Sequence, residues 1–453
     1  MKKDCDELYI SYLFPPSNQA SGITVFKRIV EENSTVDVLQ SNFHSDNSSF
    51  NDYVEKHINN RFHVEIDEKL DWAVFIYDFI KKGLDIIENR DYKKIYSRSW
   101  LMANHFLACE YKFKNSETFW RAEFSDPLIY DLNNNPKSYD EMIIDDKNYI
   151  SDINNQIKLL NRKNDSDYPL VENGTSAYFI AEYLVYLFAD RIIFTNENQM
   201  KIMLDEFPVD VKEHVSGKCE IKRHPTLDEE FYHINEVDLN LNDEYINVAY
   251  FGNDYYSKRH FEALFYAVEA LNHKYKDKVR VYLYVSNRNM VKKLLPSERF
   301  IIKKPLEYPD FLNATTKFDV LLVNDVTTDG VFEANPYLPS KLSDYMGAKT
   351  DVWALYEPGS ALSKTDVKYK SDMYDYDACL KELVRILGDC GFEDEDFSVN
   401  QKYLNDRFTY LNELYEKEYR QKNNYKRKCK KLKNEKNSER GWNISKSLRR
   451  LKG

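Results

Sequence analysis

Short runs of β-prone residues alternate with helical segments along most of this chain, and no other feature of the sequence limits the possible folds as strongly. The first β-prone run, LYISYLF, covers residues 8–14 and stops at Pro15-Pro16. A loop that contains Gly22 follows, then a segment with helical periodicity, and then a second β-prone run at 36–42. This order predicts a strand–helix–strand unit that opens a parallel sheet.

The alternation occurs in two series, which meet at His224 and Pro225. The first series contains three further predicted strands, at 93–99, 119–125 and 190–196. The second contains predicted strands at 246–253, 279–287, 300–305, 318–325 and 351–358. A chain of 453 residues suits two α/β domains of about 200 residues each. We therefore expect one doubly wound domain at 1–225 and another at 226–395.

The C-terminal part of the chain has a different pattern. Apolar side chains recur at helical spacing from residue 404 to 419, which predicts a helix over 396–415 that crosses back toward the first domain. Residues 416–453 contain fifteen Lys and Arg but four Asp and Glu, in a chain of net charge −11. This basic, partly helical tail predicts contact with an anionic surface, which leaves lipid, phosphopolymer and RNA open. A disordered end and a helical oligomerisation arm are the alternatives.

Composition also indicates the compartment and excludes some partners. The opening residues MKKDCDEL lack an apolar run that could form a signal peptide, so we expect a cytoplasmic protein, with the tail at the inner face of the membrane. The six cysteines show no CxxC spacing, which argues against a zinc site and a disulfide framework. The acidic body disfavours nucleic acid as the main partner.

The most informative motif is VFEANPYLPSKLSDYMGAKTDVWALYEPGSALS, residues 331–363. It resembles the donor-binding segment of GT-B glycosyltransferases, in particular the family-four-like enzymes of bacterial envelope glycan and teichoic acid assembly. The resemblance implies that Ser340 caps a helix and donates to a phosphate, that Lys341 adds positive charge, and that Asp344 accepts both ribose hydroxyls. An ordinary strand, loop and capped helix is the alternative.

One part of this motif departs from the family pattern. That pattern has two glutamates eight positions apart, whereas the residue eight positions before Asp344 is Pro336. Glu333 and Asn335 lie close by and are the candidates to contact the sugar instead. The departure leaves the identity of the hexose open.

Two glycine-containing turns extend the resemblance. AYFGNDYYSKRHFEALFYA is similar to the first strand and loop of the donor domain, where Gly252 would end the strand and Lys258 and Arg259 would reach the diphosphate. Two cations can offset the charge on a departing diphosphate without a metal ion. FPPSNQASGIT resembles the loop that brings backbone amides near the phosphate and the acceptor, with Gly22 at the close approach. Solvated basic residues and an ordinary turn are the alternatives.

The segment FWRAEFSDPLIYD resembles a motif at the end of a strand beside the cleft of related envelope enzymes. By this resemblance Asp126 orients the acceptor hydroxyl or the donor sugar, while an Asx turn or helix cap is the alternative. Arg98 and Glu123 are weaker candidates for the cleft, and His105 is expected to be structural.

The resemblance implies a GT-B fold, in which an N-terminal acceptor domain and a C-terminal donor domain, both Rossmann-like, face each other across a cleft. The implied reaction transfers a hexosyl group from a nucleoside diphosphate sugar, expected to be a UDP-sugar, with retention. The acceptor would be a hydroxyl of an envelope glycan, teichoic acid or lipid-linked precursor. Asp126, Lys258 and Arg259 are the candidate catalytic residues, and we expect neither a metal nor a cofactor. A sugar-nucleotide epimerase of the same fold and a non-catalytic partner subunit are the alternatives, and homo-oligomerisation is left open.

Overall fold

Two parallel sheets form the centre of the molecule, one from each series of strands. The structure is a computed structural model. It describes residues 5–42, 48–66, 72–99, 101–137, 143–144, 146–252, 258–271 and 277–392. The predicted helix at 396–415 and the basic tail at 416–453 lie outside the described residues.

The first half of the chain forms an α/β domain. Its strands are β1 (Glu7–Ile10), β2 (Val36–Ser41), β3 (Ile58–Val64), β4 (Lys94–Ser99), β5 (Phe119–Phe124), β6 (Ile143–Ile144), β7 (Thr175–Ser176), β8 (Arg191–Phe194) and β9 (Cys219–Ile221). Its helices are α1 (Ala20–Glu31), α2 (Ser48–Glu55), α3 (Trp72–Ile87), α4 (Ala103–Lys114), α5 (Lys147–Asn164), α6 (Ala177–Phe188), α7 (Glu197–Asp205) and α8 (Val209–Ser216). The main sheet is parallel, in the order β3-β2-β1-β4-β5-β8-β9, and β6 pairs with β7 in a separate antiparallel ribbon.

Successive side chains of a strand point to opposite faces of the sheet. Both faces of this sheet are apolar, and helices cover both of them. Leu8 and Ile10 of β1 join the apolar cluster that contains side chains of α3, α4 and α6. Tyr9, between them, joins the cluster that contains Phe26 of α1. The central strand therefore needs apolar residues at consecutive positions.

The second half of the chain repeats the architecture. Its strands are β10 (Ile246–Phe251), β11 (Val279–Tyr284), β12 (Phe300–Lys303), β13 (Val320–Asn324), β14 (Asp351–Tyr356) and β15 (Tyr369–Asp372). Its helices are α9 (Glu262–Ala270), α10 (Arg288–Leu294), α11 (Tyr308–Thr315), α12 (Lys341–Gly347) and α13 (Tyr376–Asp389). All strand pairs are parallel, in the order β12-β11-β10-β13-β14-β15.

The predicted strands are confirmed, although most are shorter than expected. Of the strands in the two main sheets, β3, β9 and β15 were not predicted from the sequence, and each of them is an edge strand of its sheet. The short ribbon strands β6 and β7 were not predicted either. An edge strand has one unpaired side and is half exposed, so its sequence is polar, as in INNRFHV and YKSD. Polar runs of this kind do not resemble the buried strands of a parallel sheet.

The two domains share an apolar core beside their cleft. One buried cluster continues from α1 of the first domain to β10, β11 and β13 of the second. The rings of Phe26 and Phe231 lie 5.8 Å apart, and those of Phe50 and Tyr308 lie 5.4 Å apart. Among the described residues, no helix combines the length and the apolar character that crossing a bilayer requires.

We expect Gly22→Ala to lower the free energy of unfolding by about 1–3 kcal/mol, the usual cost of overpacking. The new Cβ would lie 2.1 Å from the backbone oxygen of Leu13, which cannot move without shifting the loop after β1. Gly388→Ala in α13 is the control, because nothing lies within 4 Å of its added Cβ, and it should stabilise the helix by about 0.5–1 kcal/mol. Urea unfolding measures both variants, and changes of the same sign would contradict the expectation.

Candidate active site

A cleft of about 780 Å³ lies between the two domains. In the first sheet the chain adds β2 and β3 on one side of β1 and then β4, β5, β8 and β9 on the other side. In the second sheet it adds β11 and β12 on one side of β10 and then β13, β14 and β15 on the other side. The loop after β1 contributes Asn18 and Gln19 to the cleft wall, the start of α1 contributes Ala20 and Ser21, and Gly252 follows β10. Ligands of open α/β sheets bind at such switch points, beyond the carboxyl ends of the strands. Here the two switch points face one cavity.

Charged side chains of both domains line this cleft. Four of them are basic, namely Arg98 and Lys137 from the first domain and Arg259 and Lys341 from the second. The acidic side chains of the wall are Asp126 and Asp131. Asp131 uses one carboxylate oxygen to accept backbone hydrogen bonds from Asn133 and Asn135 in its own loop. The surplus of positive charge suits an anionic ligand.

A buried ionic network lies beneath the first-domain side of the cleft. The Glu123 carboxylate accepts hydrogen bonds from Arg28 Nε at 2.8 Å, Arg98 Nε at 3.1 Å and the Tyr96 hydroxyl at 2.9 Å. Burial alone would raise the pKa of Glu123, but the two guanidinium groups lower it to about 2. Arg98 also donates to Ser21 and to His224. Arg98 and Glu123 were both predicted as cleft residues. Arg98 lines the cleft, whereas Glu123 is fully buried behind it and accepts a hydrogen bond from Arg98.

The start of α12 reaches the cleft with Ser340 and Lys341. Ser340 occupies the N-cap position, but its side chain makes no capping hydrogen bond, so that part of the prediction is wrong. Instead its backbone oxygen accepts from the Ser343 hydroxyl. The Lys341 ammonium lies 3.9 Å from the centre of the Phe311 ring, and burial lowers its pKa.

Asp344 is buried one layer behind the cleft wall. Its Oδ1 accepts hydrogen bonds from Lys27 Nζ and from the Tyr308 hydroxyl, both at 2.8 Å. Lys27 belongs to α1, so this contact is an ion pair between the domains. No described residue donates a hydrogen bond to Oδ2 of Asp344. Lys27 was not among the site residues predicted from the sequence, although two consecutive basic residues inside the apolar run VFKRIV were a signal for buried charge.

The structure does not bring Glu333 and Asn335 to the cleft. Glu333 is exposed and forms an ion pair with Lys201 of the first domain. Asn335 is fully buried, where its side chain donates to the Val326 carbonyl and accepts from the Tyr337 amide. The side chains that line the cleft in this segment are Tyr337, Leu338 and Pro339.

The structure separates the pair of basic residues after β10. Arg259 lines the cleft and donates to the backbone and side-chain oxygens of Asn324. Lys258 is not part of the wall, and its backbone oxygen accepts from the Thr327 amide. Gly252 lines the cleft, and a Cβ there would lie 2.7 Å from the Tyr250 hydroxyl. Gly22 lies behind the wall, where it permits α1 to approach the loop after β1.

Asp126 follows β5 and is exposed to the cleft. Its carboxylate makes no hydrogen bond or ion pair with any described residue, so it forms neither an Asx turn nor a helix cap. The enclosing walls raise its pKa by desolvation, against the opposing effect of Lys137, Arg98 and Arg259. Lys137 fastens the loop that carries Asp126 by donating to the Pro127 carbonyl at 2.8 Å.

His105 lies on α4, away from the cleft wall. It is buried and its Nδ1 is 2.8 Å from the Ser97 hydroxyl oxygen. Burial and the nearby Arg98 lower its pKa to about 3. A histidine in this position stays neutral and packs within the first domain.

Comparison with known proteins identifies the fold. No family model and no curated protein matches the sequence. The solved structure "Trehalose-6-phosphate from E. coli bound with UDP-2-fluoro glucose" is 12% identical, covers 84% of this chain and 91% of its own, and has a TM-score of 0.50. The predicted GT-B fold, two Rossmann-like domains facing across a cleft, is confirmed by this likeness and by the two parallel sheets.

Other solved structures are similar at lower scores. An α,α-trehalose-phosphate synthase (UDP-forming) from Burkholderia xenovorans in complex with glucose-6-phosphate is 10% identical, covers 90% of this chain and 96% of its own, and has a TM-score of 0.47. A glycosyltransferase from Rickettsia africae ESF-5 is 10% identical, covers 90% and 98%, and has a TM-score of 0.48.

We expect Glu123→Gln to lower the free energy of unfolding at pH 7 by about 3–5 kcal/mol, because two buried guanidinium groups would face a neutral amide. The pKa of Glu123 is depressed in the folded state, to about 2. Its stabilisation is therefore complete above about pH 4.5, the range of an unfolded glutamate, and is lost as the pH falls toward 2.

Urea unfolding of both proteins between pH 7 and pH 3 tests this expectation, and the difference between them should shrink below pH 4.5. Glu220→Gln is the control, because Glu220 pairs with Arg191 on the surface, where both side chains are at least 40% exposed. Loss of this surface ion pair should lower the free energy of unfolding by less than about 1 kcal/mol. If the difference in unfolding free energy between the wild type and Glu123→Gln stayed constant down to pH 3, the low pKa assigned to Glu123 would be contradicted.

Proposed function

We propose that this protein transfers a hexosyl group from a UDP-sugar, with retention, to a hydroxyl of an envelope glycan, teichoic acid or lipid-linked acceptor. The observation that carries the proposal is a single cleft at the switch points of both sheets, with basic side chains contributed by both domains. Its volume of about 780 Å³ is in the range of small-molecule sites, about 300–1,000 Å³. The tail at 416–453 would hold the enzyme at the inner face of the membrane.

The basic residues supply what departure of a nucleoside diphosphate requires. Negative charge develops on the diphosphate as the bond to the sugar breaks, and fixed positive charges in an enclosed site stabilise that charge. Arg259 and Lys341 come from the second domain, and Arg98 and Lys137 come from the first. We assign the diphosphate to this set, without a metal ion, and Arg259 rather than Lys258 to direct contact.

The carboxylates of the cleft support a front-face reaction. Such a reaction depends more on electrostatic support for the leaving group than on a strong base. Asp131 uses one carboxylate oxygen to hold its own loop, whereas both carboxylate oxygens of Asp126 are available to orient an acceptor hydroxyl. We assign that role to Asp126. Asp344 remains the candidate for the ribose, but because it lies behind the cleft wall, the ribose can reach its Oδ2 only if the wall moves on binding. Ser340 remains a candidate phosphate donor.

Nucleotide sugars should stabilise the protein against thermal unfolding. A panel of UDP-, GDP- and dTDP-sugars identifies the donor, since a ligand at one hundred times its dissociation constant adds about 2.7 kcal/mol. The nucleotide sugar that stabilises the protein is then incubated with the protein in the absence of an acceptor. Rapid conversion to an epimer would favour the epimerase, and the absence of any stabilising nucleotide sugar would favour the non-catalytic partner.

We expect Arg259→Ala to reduce the rate of transfer by about 100–1,000-fold, the usual effect of removing one group that stabilises a developing anion. Steady-state kinetics with the identified donor measures the change. Lys381→Ala on α13 is the control, because Lys381 is an exposed residue of the same domain outside the cleft wall. An unchanged rate in Arg259→Ala would remove this residue from the proposed mechanism.

A further inference from the structure

His224 lies where the chain passes between the two domains, and it forms part of the cleft wall. The segment that leads to it is anchored by backbone contacts. The Lys222 amide donates to the Phe194 carbonyl at 2.9 Å. Arg28 Nη2 donates to the carbonyls of Lys222 at 3.1 Å and Arg223 at 2.8 Å. The imidazole is therefore presented by a fixed stretch of backbone.

The hydrogen bond from Arg98 determines which nitrogen of His224 carries the proton. Arg98 Nη2 and His224 Nε2 are 3.2 Å apart. A guanidinium group can only donate, so Nε2 must accept and the proton of the neutral ring lies on Nδ1. Arg98 cannot turn away, because Glu123 and Ser21 hold its other nitrogens.

The Nδ1 of His224 has no hydrogen-bond partner among the described residues. The residue is 8% exposed, and the space beside it is the cleft. A donor in so enclosed a position is normally satisfied. This nitrogen therefore points to a ligand that accepts a hydrogen bond.

The surroundings of His224 keep it neutral. Burial lowers its pKa well below the ordinary value, and Arg98, Lys27 and Arg28 lower it further against the opposite effect of Glu123. Nδ1 therefore carries its hydrogen throughout the neutral pH range. The ring can donate a hydrogen bond to a substrate but cannot serve there as a general base.

We propose that His224 is a substrate-binding residue, whose Nδ1–H donates a hydrogen bond to an oxygen of the sugar nucleotide, on either the diphosphate or the hexose. This inference rests on the function proposed above. It adds a donor from the segment between the domains to the charged groups of the two walls.

Two substitutions separate the hydrogen bond from the packing of the ring. His224→Gln can accept from Arg98 through Oε1 and donate into the cleft through Nε2, whereas His224→Leu can do neither. His105→Gln is the matched control, since His105 is a buried histidine of the first domain outside the cleft wall. Thermal unfolding of each variant checks that it is folded.

Calorimetry with UDP and with the UDP-sugar identified by the panel measures the effect. We expect His224→Leu to bind about tenfold more weakly, which corresponds to one hydrogen bond, and His224→Gln to recover most of the affinity. His105→Gln should bind like the wild type. Weaker binding of both UDP and the UDP-sugar assigns the contact to the diphosphate, and weaker binding of the UDP-sugar alone assigns it to the hexose.

Unchanged affinity for both ligands in a folded His224→Leu protein would overturn the proposal. It would also be overturned by a transition near pH 6.5 in the binding of the UDP-sugar that disappears in His224→Gln, because the ring would then bind as a cation. Failure of the wild type to bind any nucleotide sugar would instead count against the proposed function itself.

Discussion

The buried ion network around Glu123 is the interaction on which the geometry of the cleft depends. Its carboxylate joins Arg28 of α1 to Arg98 of β4, and these arginines in turn hold the segment 222–224 between the domains. Removing charges from water is costly, and the pairing must be nearly complete to offset that cost. The network therefore favours one arrangement of the helix, the sheet and the linker, and it fixes the side chains that the cleft presents.

One turn of α1 connects this network to the rest of the molecule. Phe26 packs on Phe231 in the core shared by the domains. Lys27 reaches across to Asp344 and Ser343. Arg28 enters the first-domain network. Three consecutive residues thus face three different partners, which is possible because the helix is buried around most of its circumference. A shift of α1 would disturb the apolar core, the interdomain ion pair and the position of the cleft arginine together.

The sequence revealed the two sheets because buried parallel strands read as short apolar runs between helices. It also indicated wall residues just beyond the end of a strand, such as Gly252 after β10 and Asp126 two residues after β5, since their position is set by local structure. It could not reveal pairs that meet through the tertiary fold. Lys27 and Asp344 are 317 positions apart, and the signal in VFKRIV indicates burial of charge without naming the partner. The ion pair of the exposed Glu333 with Lys201, 132 positions away, was equally unpredictable, because it too depends on the tertiary fold.

The glutamate that the glycosyltransferase resemblance leads one to expect at position 336 is replaced by Pro336, in the loop before α12. Asn196 donates to the Pro336 carbonyl at 2.9 Å, and Asn198 donates to the Asn335 carbonyl at 3.0 Å. The first domain therefore holds this loop by its backbone, while its side chains toward the cleft are those of Tyr337, Leu338 and Pro339. Under the function proposed above, such a wall would offer the hexose few polar groups. Discrimination among sugars would then fall to the opposite wall, where Asp126, Lys137 and His224 face the same space.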